Sequence, residues 1–146
     1  MAKAGGKKSR NKGASGENEA CKLLRKDFPS VCRELEQYQK TLGRDLSNTD
    51  PLCIQVKRHK TISKSEIWKA FYEAESSVDS EYTQPIVMFR EDYGTWQVAT
   101  TMEVMLSLME MDAVDPDVSL MLQMEADQFL TWLAKSREWE PSDRVR

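Results

Sequence analysis

The chain has 146 residues, of which 40% are hydrophobic and 31% charged, and its formal net charge is −3. This composition indicates one globular domain with room for an appended arm and excludes a largely disordered chain. No apolar run approaches the roughly 20 residues of a membrane span, so we expect a cytoplasmic protein without membrane contact. Cys21, Cys32 and Cys53 form no CxxC pair, which disfavours disulfides and a thiolate zinc site.

The charge is unevenly distributed along the chain. Residues 102–146 contain 4 basic and 10 acidic residues, which leaves residues 1–101 with a net positive charge. A basic surface for nucleic acid can therefore coexist with an overall acidic chain. Basic side chains lie among small residues over 1–13 without any apolar period, and this predicts a disordered basic arm. The arm is either a solubilising tail or a segment that binds along the phosphates of a nucleic acid.

The first predicted helix begins after an N-cap at Ser15 and ends near Phe28, before Pro29. Its apolar residues form one stripe at helical spacing, and Glu17 lies at the centre of that stripe. A carboxylate on a buried face needs a partner. An acid in the first turn that interacts with the helix dipole is the alternative explanation.

The middle of the chain alternates between strands and one helix, which predicts a mixed α/β domain with one sheet. The predicted elements are strands over 31–37 and 42–46, a turn over 47–51, a strand over 52–57, a helix after a capping box at 63–66, a strand over 85–89, a hairpin turn over 91–94 and a strand over 95–99.

The C-terminal segment predicts a helical extension, with a short helix over 102–111 and a longer one over about 118–136. Five of the eight methionines lie between Met105 and Met124, a pattern typical of a core or a dimer seam. The predicted organisation is therefore a disordered basic arm (1–13), an α/β core (14–101) and a helical extension (102–146).

The turn over 47–51 predicts where polar side chains meet. If the residues that flank the turn pair with each other, Asp45 lies opposite Cys53. Side chains alternate along a strand, so Asp45 would share one face with Gln55 and Lys57. Glu17 from the first helix could close the same cleft.

This set of residues suits phosphodiester hydrolysis. His59 is the only histidine and lies in a basic run, and the phosphate-loop, dinucleotide and nucleophile-elbow motifs are absent. Carboxylate and amide oxygens are ligands for Mg²⁺ or Mn²⁺, which polarise a phosphate, and a nearby ammonium can orient the attacking water. The same spacing also arises in an ordinary solvated strand face, and the residues alone leave both interpretations open.

Several stretches resemble the Holliday-junction resolvases of archaea and their phage relatives, which belong to the PD-(D/E)xK nuclease superfamily. The resemblance extends over roughly residues 12–100 and implies a restriction-endonuclease-like core, with a central mixed sheet flanked by helices. The matching stretches are KGASGENEACKLL at 12–24, GRDL at 43–46, CIQVKR at 53–58, the helix over 68–75 and the strand PIVMFR at 85–90.

The resemblance implies a role for each matching residue. Gln55 stands where the family has a carboxylate, which implies weaker metal binding, although the same QxK variant is found in methylation-dependent restriction nucleases. Asp50 is an alternative to Asp45, and the predicted pairing favours Asp45. The implied site consists of Glu17 as the first-helix acid, Asp45 as the central metal ligand, Gln55 at the (D/E) position, the carbonyl of Val56 as a further metal ligand and Lys57 as the motif lysine.

The function that the resemblance implies is a metal-dependent DNA endonuclease that cuts branched or structured DNA with Mg²⁺ or Mn²⁺. We expect a homodimer, because paired cuts need two active sites. Two alternatives stay open: a nucleic-acid-binding accessory protein whose metal site is degraded at Gln55, and an interaction protein that works through its acidic, methionine-rich C-terminal segment. The candidates for holding DNA phosphates are Lys7, Lys8, Arg10, Lys12, Arg44, Arg58 and Lys60.

Overall fold

The computed structural model describes residues 2–34, 44–78, 83–109 and 121–138. These residues form helices and strands that alternate along the chain. The helices are α1 (Ala2–Leu24), α2 (Lys64–Ser76), α3 (Met102–Leu108) and α4 (Ala126–Glu138). The strands are β1 (Cys32–Arg33), β2 (Leu46–Ser47), β3 (Leu52–His59), β4 (Gln84–Glu91), β5 (Gln97–Thr101) and β6 (Met121–Glu125).

Four of the strands form a mixed sheet in the order β3-β4-β5-β6. β3 and β4 are parallel, with Val56 opposite Met88, and α2 makes the crossover between them. β4, β5 and β6 are antiparallel neighbours. The short strands β1 and β2 form a separate antiparallel ribbon. Within the described residues, β3 is therefore an edge strand of the main sheet.

The two faces of β3 pack against different helices. The thiol of Cys53 donates a hydrogen bond to the Ala74 carbonyl of α2 at 3.3 Å, so the face with the odd-numbered residues meets α2. Side chains alternate along a strand, and Arg58, on the opposite face, contacts Gly16 of α1. The domain is thus mixed α/β, with a four-stranded mixed sheet flanked by helices.

One hydrophobic core joins the main sheet to the first and the last described helix. It includes side chains from α1, the central strands and α4, so the C-terminal helices belong to the same core as the sheet. None of the described helices is both long and apolar enough to cross a bilayer. The largest fully buried core side chains include Leu24, Ile54, Ile86, Met88, Val98 and Phe129.

The C-terminal segment differs from the predicted helical extension. Residues 121–125 form β6, which pairs with β5, and α4 begins only at Ala126, whereas a helix from about 118 was predicted. Methionine is unbranched and fits either a helix or a strand, so the spacing of the apolar residues did not indicate a strand over 121–125. Because β6 extends the main sheet, residue 101 does not mark the end of the core. The predicted residues 110, 111 and 118–120 lie outside the described part of the chain.

The N-terminal segment also differs from the prediction. α1 begins at Ala2, so the backbone of residues 2–13, predicted as a disordered arm, is helical, and Ser15 lies within the helix instead of capping it. No proline interrupts this stretch, and its lysine, arginine and alanine residues favour a helix. The helix ends at Leu24, because the chain turns over 25–27 and brings Phe28 back onto the core.

The local turn and cap predictions are largely confirmed. The hydroxyl of Ser63 accepts a hydrogen bond from the Glu66 N–H at 3.2 Å and caps α2. In the hairpin turn, Tyr93 has a φ of 63° and the N–H of Gly94 donates to the Glu91 carbonyl at 3.0 Å. Two strands were predicted over 31–37 and 42–46. In the described residues β1 covers only 32–33 and β2 only 46–47, and residues 35–43 lie outside the described ranges.

The close approach of α1 to β3 can be tested at Gly16. A Cβ added there would lie 2.6 Å from the Arg58 Cβ, whereas a Cβ at Gly13 would meet no described atom within 4 Å apart from the adjacent backbone of its own helix. We expect Gly16→Ala to lower the free energy of unfolding by about 1–3 kcal/mol despite the better helix propensity of alanine. The matched control Gly13→Ala should raise it by up to about 1 kcal/mol. Urea denaturation measures both; equal effects of the two substitutions would contradict the contact.

Candidate functional site

Asp45 is held at the outer edge of β3 by its own backbone. Its carbonyl accepts from the Glu34 N–H at 2.8 Å, and its N–H donates to the Ile54 carbonyl at 2.8 Å. The carboxylate oxygen Oδ2 accepts from the Val56 N–H at 2.7 Å, and the residue is only 7% exposed. These three hydrogen bonds fix a carboxyl group in a buried position beside an edge strand.

The position of Asp45 along β3 differs from the predicted pairing. It lies beside Ile54, one residue further along the strand than the predicted partner Cys53. Leu46, which was predicted to pair with Leu52, instead pairs with Arg33 of β1, because β2 forms a ribbon with β1. The turn also closes on itself, with the Leu52 N–H donating to the Thr49 carbonyl at 2.7 Å. Asp45 therefore lies at the edge of β3 rather than over the face that meets α2.

Gln55 and Lys57 converge on one oxygen of Glu73, which lies on α2. The Gln55 amide Nε2 donates to Glu73 Oε2 at 3.0 Å, and the Lys57 Nζ is 3.6 Å from the same oxygen. Gln55 is 6% exposed, and its other amide atom, Oε1, is buried without a hydrogen-bond partner among the described residues. A buried acceptor that lacks a donor is suited to a cation or a water molecule.

Glu17 lies on the inward face of α1, as the stripe predicted. It is 9% exposed, and its Oε1 accepts a hydrogen bond from the Arg33 Nε at 2.7 Å. The alternative explanation as a first-turn acid is wrong, because α1 begins fifteen residues before it at Ala2. The ion pair with Arg33 supplies the partner that a buried carboxylate needs.

The charges around Asp45 act on its ionisation. Burial raises the pKa of Asp45 from its ordinary value of 3.8 to about 7, and the hydrogen bond from the Val56 N–H opposes this rise. The negative charges of Glu17 and Glu73 contribute to this rise in the pKa of Asp45, and the ammonium of Lys57 also opposes it. Glu17, Lys57 and Glu73 therefore all lie within electrostatic range of one buried carboxyl group.

The structure brings together most of the predicted site residues. Glu17 approaches from α1, Gln55 and Lys57 lie on β3, and Asp45 lies at the strand edge. Val56 contributes its N–H to Asp45, and the assignment of its carbonyl as a metal ligand stays a prediction. Asp50, the alternative to Asp45, is exposed in the turn.

The predicted phosphate-binding residues are in different environments. Arg44 pairs with Glu34, and Arg58 pairs with Asp92, so both guanidinium groups already have anionic partners. Lys60 is exposed, as is His59. The backbone of the remaining four, Lys7, Lys8, Arg10 and Lys12, belongs to α1.

Asp45, Gln55, Lys57, Glu17, Glu73 and Arg33 together form the candidate cluster. Two of them, Glu73 and Arg33, were not predicted from the sequence. Glu73 lies three residues after the buried Ala70, at the edge of the apolar stripe of α2. Helical periodicity could have placed it beside the strand that α2 covers. Arg33 carries no such signal, because its contact with Glu17 joins segments that are sixteen residues apart.

The oxygen atoms of the cluster are of the kind that Mg²⁺ and Mn²⁺ prefer. The candidate donors are the carboxylates of Asp45, Glu17 and Glu73 and the unpartnered Oε1 of Gln55. Across the described ranges, no three histidine, cysteine, aspartate or glutamate side chains lie close enough to hold a metal ion. Glu17 and Glu73 are each paired with a cationic side chain, Arg33 and Lys57 respectively.

Comparison of the chain with models of protein families, with characterised proteins and with solved structures finds no match.

The raised pKa of Asp45 predicts a pH-dependent cost to folding. Below about pH 4 the carboxyl is protonated in both the folded and the unfolded chain. As pH rises from 3.8 to about 7, the unfolded chain releases the proton first, and stability falls by up to about 4 kcal/mol. Asp45→Asn should therefore be more stable than the wild type above about pH 7 and nearly equal to it below about pH 4.

Thermal unfolding across this pH range, with Asp50→Asn as the matched control in the exposed turn, measures the difference. A stability difference between Asp45→Asn and the wild type that does not change with pH would contradict the buried, protonated carboxyl.

Proposed function

We propose that the protein is a metal-dependent DNA endonuclease with a restriction-endonuclease-like core, which acts on branched or structured DNA as a homodimer. The observation that carries the proposal is that Gln55 and Lys57 of β3 both contact Glu73 of α2, while the buried carboxyl of Asp45 is bonded to the edge of the same strand. The sequence resemblance to resolvases supports the same residues. Strongly perturbed carboxyl groups in such clusters are typical of catalytic sites.

The carboxylates and the amide of the cluster are the proposed metal ligands. Asp45 and the Oε1 of Gln55 would hold Mg²⁺ or Mn²⁺, and Glu17 or Glu73 would supply the charge that Gln55 lacks. Glu73 is suited to this, because it already contacts Gln55 and is 36% exposed. When bound, the cation polarises the scissile phosphodiester.

Lys57 is the proposed group that orients the attacking water. Its ammonium lies beside Glu73 and affects Asp45, and its side chain is 27% exposed, so it remains accessible to a substrate. A fixed positive charge there offsets the negative charge that develops on the phosphate during in-line attack. Lys60 is exposed at the end of the same strand and is suited to contact the DNA backbone.

A second candidate function is nucleic-acid binding without catalysis. The absence of a three-acid cluster within the described residues favours this candidate, as does the amide at position 55. Such a protein would bind branched DNA through its basic residues and leave it intact. The two candidates differ in cleavage, not in binding.

Lys57→Ala separates the two candidates. We expect it to reduce Mg²⁺-dependent nicking of a four-way junction by about 100-fold or more, because the developing charge loses its stabilising ammonium. Binding of the uncut junction in EDTA should persist, since it depends on other basic residues. The matched control Lys26→Ala removes an exposed lysine from the turn that follows α1 and should cleave at the wild-type rate.

Nicking of the junction and of linear duplex, with Mg²⁺ and with Mn²⁺, measures the effect. Wild-type cleavage by Lys57→Ala would remove Lys57 from the mechanism. Binding without any nicking by the wild-type protein would favour the accessory function.

A further inference from the structure

The outer surface of α2 carries an aromatic stack that the hydrolytic cluster does not use. The rings of Trp68 and Tyr72 are stacked, with centroids 5.6 Å apart and planes inclined by 28°. Trp68 also meets the buried Phe71 edge to face at 6.1 Å. Tyr72 is 56% exposed, so the stack begins in the core and ends at an open ring.

An open groove of about 580 Å³ runs beside this stack. Its lining includes Glu73, whose Oε2 also receives the Gln55 amide and faces the Lys57 ammonium. The groove therefore borders both the aromatic rings and Glu73, which contacts Gln55 and Lys57. It is lined by Ser65, Trp68, Lys69, Tyr72, Glu73 and Ser76.

Two exposed lysines on α2 lie beside the aromatic stack and are suited to contact an anionic ligand. Lys69 lines the groove, and Lys64 lies one helical turn before Trp68 on the same side of α2; both lysines are exposed. The lining also contains one acid, Glu73, whose Oε2 lies 3.6 Å from the Lys57 Nζ. A flat apolar ring beside two cations is complementary to a nucleotide, which has an aromatic base and a charged phosphate.

We propose that the Trp68–Tyr72 stack binds an unpaired base of single-stranded DNA and guides that strand to the catalytic cluster. A base placed on the open face of Tyr72 continues the existing stack, and Lys64 and Lys69 contact the adjoining phosphates. The inference rests on the proposed nuclease function, because it names the single strand beside a branch point as the part of the substrate recognised next to the site.

Fluorescence anisotropy with a labelled thymidine oligonucleotide of about 12 nucleotides tests the inference. The assay contains EDTA, so binding is measured without cleavage. We expect Tyr72→Ala to weaken binding roughly 5- to 100-fold, the range for loss of one base–aromatic stack. Tyr72→Phe should bind like the wild type, because the ring is kept. Tyr93→Ala, which removes a fully exposed tyrosine from the hairpin turn, is the matched control and should also bind like the wild type.

An abasic oligonucleotide of the same length distinguishes base stacking from phosphate contact. It should bind the wild type as weakly as the thymidine oligonucleotide binds Tyr72→Ala. Equal affinity of the wild type and Tyr72→Ala for the thymidine oligonucleotide would overturn the inference. A dimer in light scattering that depends on Tyr72, without an effect on DNA binding, would also overturn it and assign the surface to a second copy of the chain.

The experiment distinguishes failure of the base site from failure of the proposed hydrolysis. Binding that depends on Tyr72 in a protein that never nicks a junction would support the base site and reject the nuclease activity. If nicking depends on Lys57 but oligonucleotide binding is unchanged in Tyr72→Ala, the base site is rejected and the nuclease proposal stands.

Discussion

The candidate site depends on one constraint: the carboxyl group of Asp45 is buried at the edge of β3, and hydrogen bonds fix its position. Both backbone groups of Asp45 are bonded to neighbouring segments, and its carboxylate receives the Val56 N–H. A buried carboxyl must find a cation or keep its proton. Here burial raises the pKa of Asp45 to about 7, close to the pH at which most proteins work. Such a group costs stability at neutral pH, and the function proposed for Asp45 starts from this property.

The fold gathers charge around this group from both faces of β3. α1 lies on one face and contributes Glu17, while α2 lies on the other and contributes Glu73. Each acid has a cationic neighbour, Arg33 for Glu17 and Lys57 for Glu73. A divalent cation would compete with these internal partners. The same helix α2 also carries the aromatic groove, so the proposed chemistry and the proposed strand binding share one rigid element.

Local patterns in the sequence were sufficient to predict the strand over 52–57, the cap of α2 and the inward position of Glu17. Each of these depends on neighbours within a few residues. The position of Asp45 beside Ile54 was not predictable, because it depends on the pairing of β2 with β1. Glu73 was missed because its contact joins a helix to a strand across the domain. The strand β6 was missed because its methionine-rich sequence suits two structures and only pairing with β5 selects one.

Calorimetric titration of Mn²⁺ into the wild type and Asp45→Asn tests the central claim, that this cluster is a site for a divalent cation. Loss of the buried charge is expected to leave Asp45→Asn folded, so its binding can be compared directly. The account predicts saturable binding by the wild type and binding weakened by more than about 10-fold in Asp45→Asn. Absence of binding heat in the wild type, or equal affinity in the two proteins, would contradict it.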